Sequence, residues 1–141
     1  MKLRHVGITV VDAKESLEFY HGLLGFKIQK DMEESGDYID NFSGEEGIRV
    51  RTIKMSGSDG SLIELLEYHS HPSSKPIRRS ITEVGCSHFA LTVDDLDNLY
   101  YRMKENGVEF NSTPQQSPDG YAKVAFCRDP NGVLIELVEV L

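Results

Sequence analysis

Apolar residues occupy every second position in two short stretches of the chain, His5–Val10 and His88–Val93. A period of two residues is typical of a half-buried β-strand, in which alternate side chains point to opposite faces. The histidine that opens each stretch therefore lies on the face opposite to the aliphatic residues. Both stretches predict a strand that presents an imidazole away from the core.

Each predicted strand is followed by an amphipathic helix. Asp12, with Glu15 three residues later, resembles a capping box, and Asp94 or Asp95 supplies the corresponding cap in the second copy. A glycine ends each helix. Apolar residues recur at helical spacing and form the predicted core side of each helix: Leu17, Tyr20, Leu23 and Leu24 in the first, and Leu96, Leu99, Tyr100 and Met103 in the second.

Three further strands are predicted after each helix. They are 26–30, 48–55 and 62–68 in the first copy, and 108–110, 122–127 and 133–140 in the second. The last strands nearly repeat each other, as DGSLIELLEY and NGVLIELVEV. Repetition of the whole order predicts one domain of 141 residues with an α+β fold, built from two tandem βαβββ modules. Module one is 1–68, a polar connector is 69–84, and module two is 85–141.

The last strand of each module carries a glutamate among apolar residues. Glu64 shares its face with Leu62 and Leu66, and Glu136 occupies the equivalent position in module two. A carboxylate in apolar surroundings needs a compensating charge. We therefore expect a cation close to each glutamate.

Composition narrows the choice of partner. The 39% hydrophobic and 27% charged residues are typical of a globular domain, and the net charge of −8 argues against a nucleic-acid partner. No run of about 18 apolar residues could span a bilayer, and the N-terminus lacks the apolar run of a signal peptide. We expect a cytoplasmic protein with a small-molecule substrate. Cys86 and Cys127 lack a CxxC spacing and are predicted to be buried or half-buried thiols.

Four residues at matched positions of the two modules are candidate metal ligands: His5, Glu64, His88 and Glu136. Imidazole nitrogen and carboxylate oxygen bind Zn²⁺, Ni²⁺, Co²⁺, Mn²⁺ and Fe²⁺, and a ligand set without thiolates suits a catalytic centre. If the two sheets close around a shared cavity, all four side chains converge. We predict one divalent metal ion per site, of undetermined identity.

Several motifs resemble those of one superfamily. HVGITV, IELLEY, SHFALTVDDLD and DPNGVLIELVEV are similar to motifs of the glyoxalase I, bleomycin-resistance protein and extradiol dioxygenase superfamily, also called the vicinal oxygen chelate fold. The resemblance covers essentially the whole chain. It implies that the modules form a curved mixed sheet around a U-shaped metal cavity, with His5, Glu64, His88 and Glu136 at the ligand positions. A homodimer is the expected assembly, and the site lies either within one chain or between two.

The ligand set is similar to that of glyoxalase I, which isomerises the hemithioacetal of methylglyoxal and glutathione. The resemblance implies a metal-dependent lyase or isomerase that moves a proton next to a carbonyl group through an enediolate, with Glu136 as principal base and Glu64 as the opposing acid or base. A methylmalonyl-CoA epimerase is one alternative, because 75–97 and 122–140 resemble its second module. A ligand-sequestering protein of the bleomycin-resistance type is an alternative of another class.

Two arginines and one acidic segment complete the candidates. Arg49 and Arg51, on the predicted strand 48–55, are candidates for binding a substrate carboxylate or phosphate, since arginine forms bidentate hydrogen bonds. An exposed sheet face is the alternative interpretation. The acid-rich segment 31–47 is predicted to be a mobile loop that acts either as a lid or as a dimer contact. A second loop is predicted at 113–121.

Overall fold

The computed structural model describes every residue from Met1 to Leu141. The chain divides into two compact units, unit 1 (Met1–Pro76) and unit 2 (Ile77–Leu141). The division falls inside the predicted connector, 69–84. Each unit contains one four-stranded mixed sheet with few helices, so the predicted α+β class is confirmed. None of the helices has both the length and the apolar content needed to cross a membrane.

Unit 1 follows the predicted order of elements, with one additional helix. Its elements are β1 (Val6–Thr9), α1 (Ala13–Leu17) with a π-helical continuation (Glu18–Leu23), β2 (Lys27–Ser35), α2 (Asp37–Ser43), β3 (Arg49–Ser56) and β4 (Leu62–Tyr68). The strands are arranged β1-β4-β3-β2 across the sheet. Strand β1 is parallel to β4, and the other neighbours are antiparallel.

Unit 2 repeats this topology. Its elements are β5 (Phe89–Thr92), α3 (Leu96–Glu105), β6 (Gln115–Gln116), β7 (Ala122–Arg128) and β8 (Leu134–Val140). The strand order is β5-β8-β7-β6, again with the first strand parallel to the last. The tandem repeat in the sequence is thus a repeat of topology.

The helix that follows the first strand of each unit packs on one face of the sheet, which we call the helix face. In unit 1 this helix face carries the buried residues Ile53, Met55, Ile63 and Leu65, and α1 contacts β4 there. In unit 2, α3 contacts β7 and β8, whose inward residues include Cys127, Ile135 and Leu137. Burial of these apolar side chains stabilises each unit.

A glutamate near the end of each last strand binds the first turn of the helix. Glu67 Oε1 accepts a hydrogen bond of 2.9 Å from the backbone N–H of Ala13. Glu139 Oε2 accepts one of 3.1 Å from the backbone N–H of Leu96. The first N–H groups of a helix have no partner within the helix, and a carboxylate there is favourable. Because strand side chains alternate, these contacts place Glu64 and Glu136, three residues earlier, on the opposite face.

The prediction of a mobile loop at 31–47 is wrong. Strand β2 continues to Ser35, and α2 follows it directly. Ile39 of α2 is buried in a cluster with Ile48, Val50, Leu66 and Tyr68. The carboxylate of Asp40 accepts hydrogen bonds from the backbone N–H groups of residues 47 and 48. Of the three apolar residues in α2 only Ile39 is buried, whereas Tyr38 and Phe42 are exposed. So short an element gives no sustained helical pattern in the sequence.

Two predictions for unit 2 and one for α1 also need correction. The strand predicted at 108–110 is reduced to a single bridge between Phe110 and Cys127, and β6 lies instead within the predicted loop 113–121. In the first helix, the π-helical turn shifts the buried side. Phe19 and Tyr20 are buried, whereas the remaining residues of the predicted stripe, Leu17, Leu23 and Leu24, are half-buried.

The start of unit 2 crosses closely over the turn before β8. The backbone N–H of Ile77 donates to the carbonyl oxygen of Asn131 at 3.0 Å. The guanidinium of Arg128 donates to the carbonyl oxygens of Gly132 and Arg79. A Cβ atom on Gly132 would lie 1.7 Å from the carbonyl oxygen of Ile77. Gly132 is therefore required both by its φ of +86° and by this contact.

Replacing Gly132 by alanine should destabilise the protein by the strain of a positive φ, about 1 kcal/mol, plus an overpacking cost of about 1–3 kcal/mol. Gly60 is a matched control, because its φ is +85° and a Cβ atom added there would meet no other atom within 4 Å. Urea unfolding should show a larger loss for Gly132→Ala than for Gly60→Ala. Equal losses would contradict the close crossing.

Candidate metal-ligand pairs

The structure brings His5 and Glu64 together in unit 1. His5 directly precedes β1. Glu64, on the neighbouring strand β4, lies opposite Gly7 of β1. His5 Nε2 is 3.3 Å from Glu64 Oε2. The Glu64 side chain is only 14% exposed. Both side chains lie on the sheet face opposite to α1, which we call the pair face.

The same pair forms in unit 2. His88 directly precedes β5, and its Nε2 is 3.3 Å from Glu136 Oε2 on β8. The hydroxyl of Ser87 is 2.8 Å from His88 Nδ1, so it helps to set the orientation of the ring. The ring of Phe126 stands edge-on to the imidazole at a centroid distance of 5.1 Å. Phe126 thus gives the His88–Glu136 pair an apolar neighbour.

The spacing within each pair fits two ligands of one metal ion. Two ligand atoms about 2.1 Å from one ion, in tetrahedral or octahedral geometry, lie roughly 3.0–3.4 Å apart. The observed 3.3 Å falls in this range. Within neither unit does a group of three or more His, Cys, Asp or Glu side chains gather in metal-binding geometry. Each unit thus offers two of the four predicted ligands, and sharing of one ion by both pairs stays a prediction.

A lysine that sequence reasoning missed lies beside Glu64. Lys54 on β3 is directly opposite Glu64 in the strand register. Its Nζ is 3.2 Å from Glu64 Oε1, the carboxylate oxygen that does not face His5. This ammonium supplies the compensating charge that the sequence led us to expect at Glu64. The only signal in the sequence was the polar position of Lys54 within a strand, and pairing it with Glu64 requires the register.

The position equivalent to Lys54 in unit 2 is Phe126, which lies directly opposite Glu136. Glu136 is correspondingly more exposed than Glu64, at 25% against 14%. The two histidine–glutamate pairs thus have the same Nε2–Oε2 distance. The residue across the strand from the glutamate is a lysine in unit 1 and a phenylalanine in unit 2.

Arg49 and Arg51 lie on the other face of the sheet. Arg51 is opposite Glu67 in the register, which places it with the helix face. Its guanidinium binds Asp31 through two hydrogen bonds of 3.0 and 2.8 Å. These bonds lower the pKa of Asp31 and raise the pKa of Arg51. The structure therefore does not bring these arginines to the pair face.

Comparison with known proteins identifies the group to which the chain is related. Residues 2–137 match the family model of the Glyoxalase/Bleomycin resistance protein/Dioxygenase superfamily. The chain belongs to this superfamily. The suspected resemblance is confirmed at the level of the superfamily.

Three similar proteins illustrate the relationship. The chain is 30% identical over 139 residues to the uncharacterized protein YurT of Bacillus subtilis, covering 99% of each. It is 28% identical over 140 residues to the probable lactoylglutathione lyase of Synechocystis, covering 99% of this chain and 95% of the relative. A glyoxalase family protein from Bacillus cereus superposes with a TM-score of 0.91 at 23% identity, covering 100% of this chain and 95% of that one, which shows a shared fold.

The two thiols of this glyoxalase-superfamily chain have different environments. Cys86 is exposed, contrary to the prediction, and its thiol contacts the carbonyl oxygen of His88. Cys127 is buried in the core of unit 2, and desolvation raises the pKa of its thiol to about 12. Because the thiolate is the reactive form, Cys127 is protected by both burial and protonation.

Native protein at pH 8 should therefore incorporate one equivalent of iodoacetamide, at Cys86, and urea-unfolded protein should incorporate two. Peptide mass spectrometry distinguishes the two sites. The Cys86→Ser variant should show no labelling until it is unfolded. Labelling of Cys127 in that folded variant would contradict the buried environment.

Proposed function

We propose that the protein is a metal-dependent lyase or isomerase of the glyoxalase I type. The observation that carries the proposal is the repeated pair, in which a histidine Nε2 and a glutamate Oε2 lie 3.3 Å apart at equivalent positions of both units. A single such pair is common in proteins as an ordinary hydrogen-bonded contact. Two pairs at matched positions of a repeated fold in this superfamily support a common role.

The proposed ligands of the divalent ion are His5, Glu64, His88 and Glu136. Their nitrogen and oxygen atoms suit Zn²⁺, Ni²⁺, Co²⁺, Mn²⁺ or Fe²⁺. We propose that both pairs hold the same ion, either within one chain or between the chains of a homodimer. When bound, the ion supplies Lewis-acid stabilisation of negative charge that develops on a substrate carbonyl oxygen.

The proton transfer is assigned to the glutamates. Glu136 accepts the proton from the carbon next to the substrate carbonyl group, and Glu64 lies in the opposing position for an acid or base. Two differences favour Glu136 as the principal base. No lysine engages its carboxylate, since Phe126 occupies that position, and its side chain is more exposed than that of Glu64. Glu64 is held on both oxygens, by His5 and by Lys54.

The apolar ring of Phe126 has a further part in this proposal. It packs edge-on against His88 and borders Glu136 across the sheet. An apolar neighbour excludes water from one side of the carboxylate. Exclusion of water strengthens electrostatic interactions with the reacting group and limits side reactions.

Metal binding tests whether the two pairs act together. Purified protein reconstituted with Co²⁺ or Ni²⁺ should contain one ion per chain by elemental analysis. His5→Ala and His88→Ala should each abolish binding of that same ion, because each removes one of its ligands. His71→Ala is the control, since His71 is exposed and contacts Ser70. Two ions per chain, with each variant losing only one, would contradict a shared site.

Replacement of Glu136 by glutamine should leave substantial metal content but lower turnover by roughly 100-fold or more, because a general base typically contributes 10²–10⁴-fold. Turnover is measured as formation of the thioester product from the hemithioacetal of methylglyoxal and glutathione. An acyl-CoA substrate is tested in parallel for solvent deuterium incorporation, to detect epimerase activity. Glu105→Gln, at the end of α3, is the control. Full activity of Glu136→Gln with metal bound would rule out its role as base.

A further inference from the structure

A second lysine lies beside Lys54 on the pair face of unit 1. Lys30 on β2 is directly opposite Lys54 on β3 in the strand register. Directly opposite residues of an antiparallel pair project to the same face, with Cβ atoms about 4.5–5.5 Å apart. Lys30 reaches this face because the pairing of β2 with β3 is irregular between Ile28 and Lys30. The extra residue there, Gln29, reverses which side chains of β2 project to each face.

Two like charges directly opposite each other destabilise a sheet unless an anion compensates them. Lys54 is partly compensated, because its Nζ is 3.2 Å from Glu64 Oε1. Lys30 is exposed and takes part in none of the ion pairs of unit 1. Lys30 therefore has no ion-pair partner, and it lies one strand from Lys54 and two strands from Glu64.

One acidic residue lies on the same face but forms an ion pair with neither lysine. Glu34 lies on the same face, but its Oε2 accepts a hydrogen bond of 2.5 Å from the hydroxyl of Thr52. Its backbone is four residues from Lys30 along β2, roughly 13 Å at the rise of a strand. Lys54 and Lys30 are thus the cationic side chains on the side of Glu64 away from His5.

The fold does not require these lysines. In unit 2 the position of Lys54 is taken by Phe126, with the same register and the same histidine–glutamate distance. The Lys54 ammonium has three N–H donors, of which one is directed to Glu64, and its side chain is 41% exposed. Donors therefore remain for a ligand at this edge of the pair.

We propose that Lys30 and Lys54 bind a carboxylate of the substrate, so that the substrate carries one anionic group in addition to the oxygens directed to the metal. This inference rests on the proposed function, because it places the carboxylate beside the His5–Glu64 pair. It assigns the recognition of an anion to the two lysines rather than to Arg49 and Arg51, which lie on the other face.

The test uses two probes that differ only in charge. Succinic monohydroxamate carries a metal-chelating hydroxamate and a free carboxylate, and its terminal amide has the same shape without the charge. Calorimetry on the metal-loaded protein should show that the wild type prefers the carboxylate probe by roughly tenfold, the size expected for one charge-assisted hydrogen bond. Lys30→Met and Lys54→Met should each reduce this preference, and the double variant should lose it.

Three controls make the outcome decisive. Lys14→Met removes an exposed lysine of α1 and should retain the preference. Lys54→Arg should keep the preference for the carboxylate probe that Lys54→Met reduces. This comparison separates recognition of the anion from general effects on folding. Metal content is measured on the same samples. A preference that persists in the double variant with metal bound would overturn the lysine assignment alone, whereas failure of the wild type to bind metal would overturn the proposed function and this inference with it.

Discussion

The arrangement of both units depends on the spacing of two glutamates along the last strand. Glu64 and Glu67, like Glu136 and Glu139, are three residues apart, so in an extended strand they project to opposite faces. The second glutamate of each unit, Glu67 or Glu139, accepts a hydrogen bond from the first turn of the helix. This contact ties the helix to one face of the sheet. The first glutamate is thereby left on the face where the histidine of the neighbouring parallel strand meets it.

The two units preserve this geometry while their chemistry has diverged. Both have the same strand order and the same 3.3 Å contact between imidazole and carboxylate. Across the sheet from that contact, however, unit 1 places Lys54 and unit 2 places Phe126. An ammonium fixes a carboxylate and attracts anions, whereas an aromatic ring excludes water. One duplicated framework thus presents two different surroundings for the same pair of ligands.

Segments between the strands also differ between the units. Unit 1 extends β2 and adds α2, whose Ile39 covers the end of the pair face near Val50, Leu66 and Tyr68. Unit 2 has only the two-residue β6 at that edge. In unit 2 the first residues of the unit instead hydrogen-bond to the turn before β8. These additions modify the borders of each sheet without changing the register of the strands that carry the histidines and glutamates.

The sequence by itself determined the repeated order of elements and the four candidate ligands. Alternation over two residues and the repeated IEL motif are local properties, and they specify which face of a strand each side chain occupies. Tertiary structure alone decided which side chains meet across strands. The pairing of Lys54 with Glu64 depends on register, and the position of Lys30 depends on the irregularity at Gln29, which reverses the alternation of β2. The register also places Arg51 opposite Glu67 on the helix face, and Arg49, two residues earlier, shares that face. Hydrogen bonding between strands, rather than the pattern within one strand, sets which residues become neighbours.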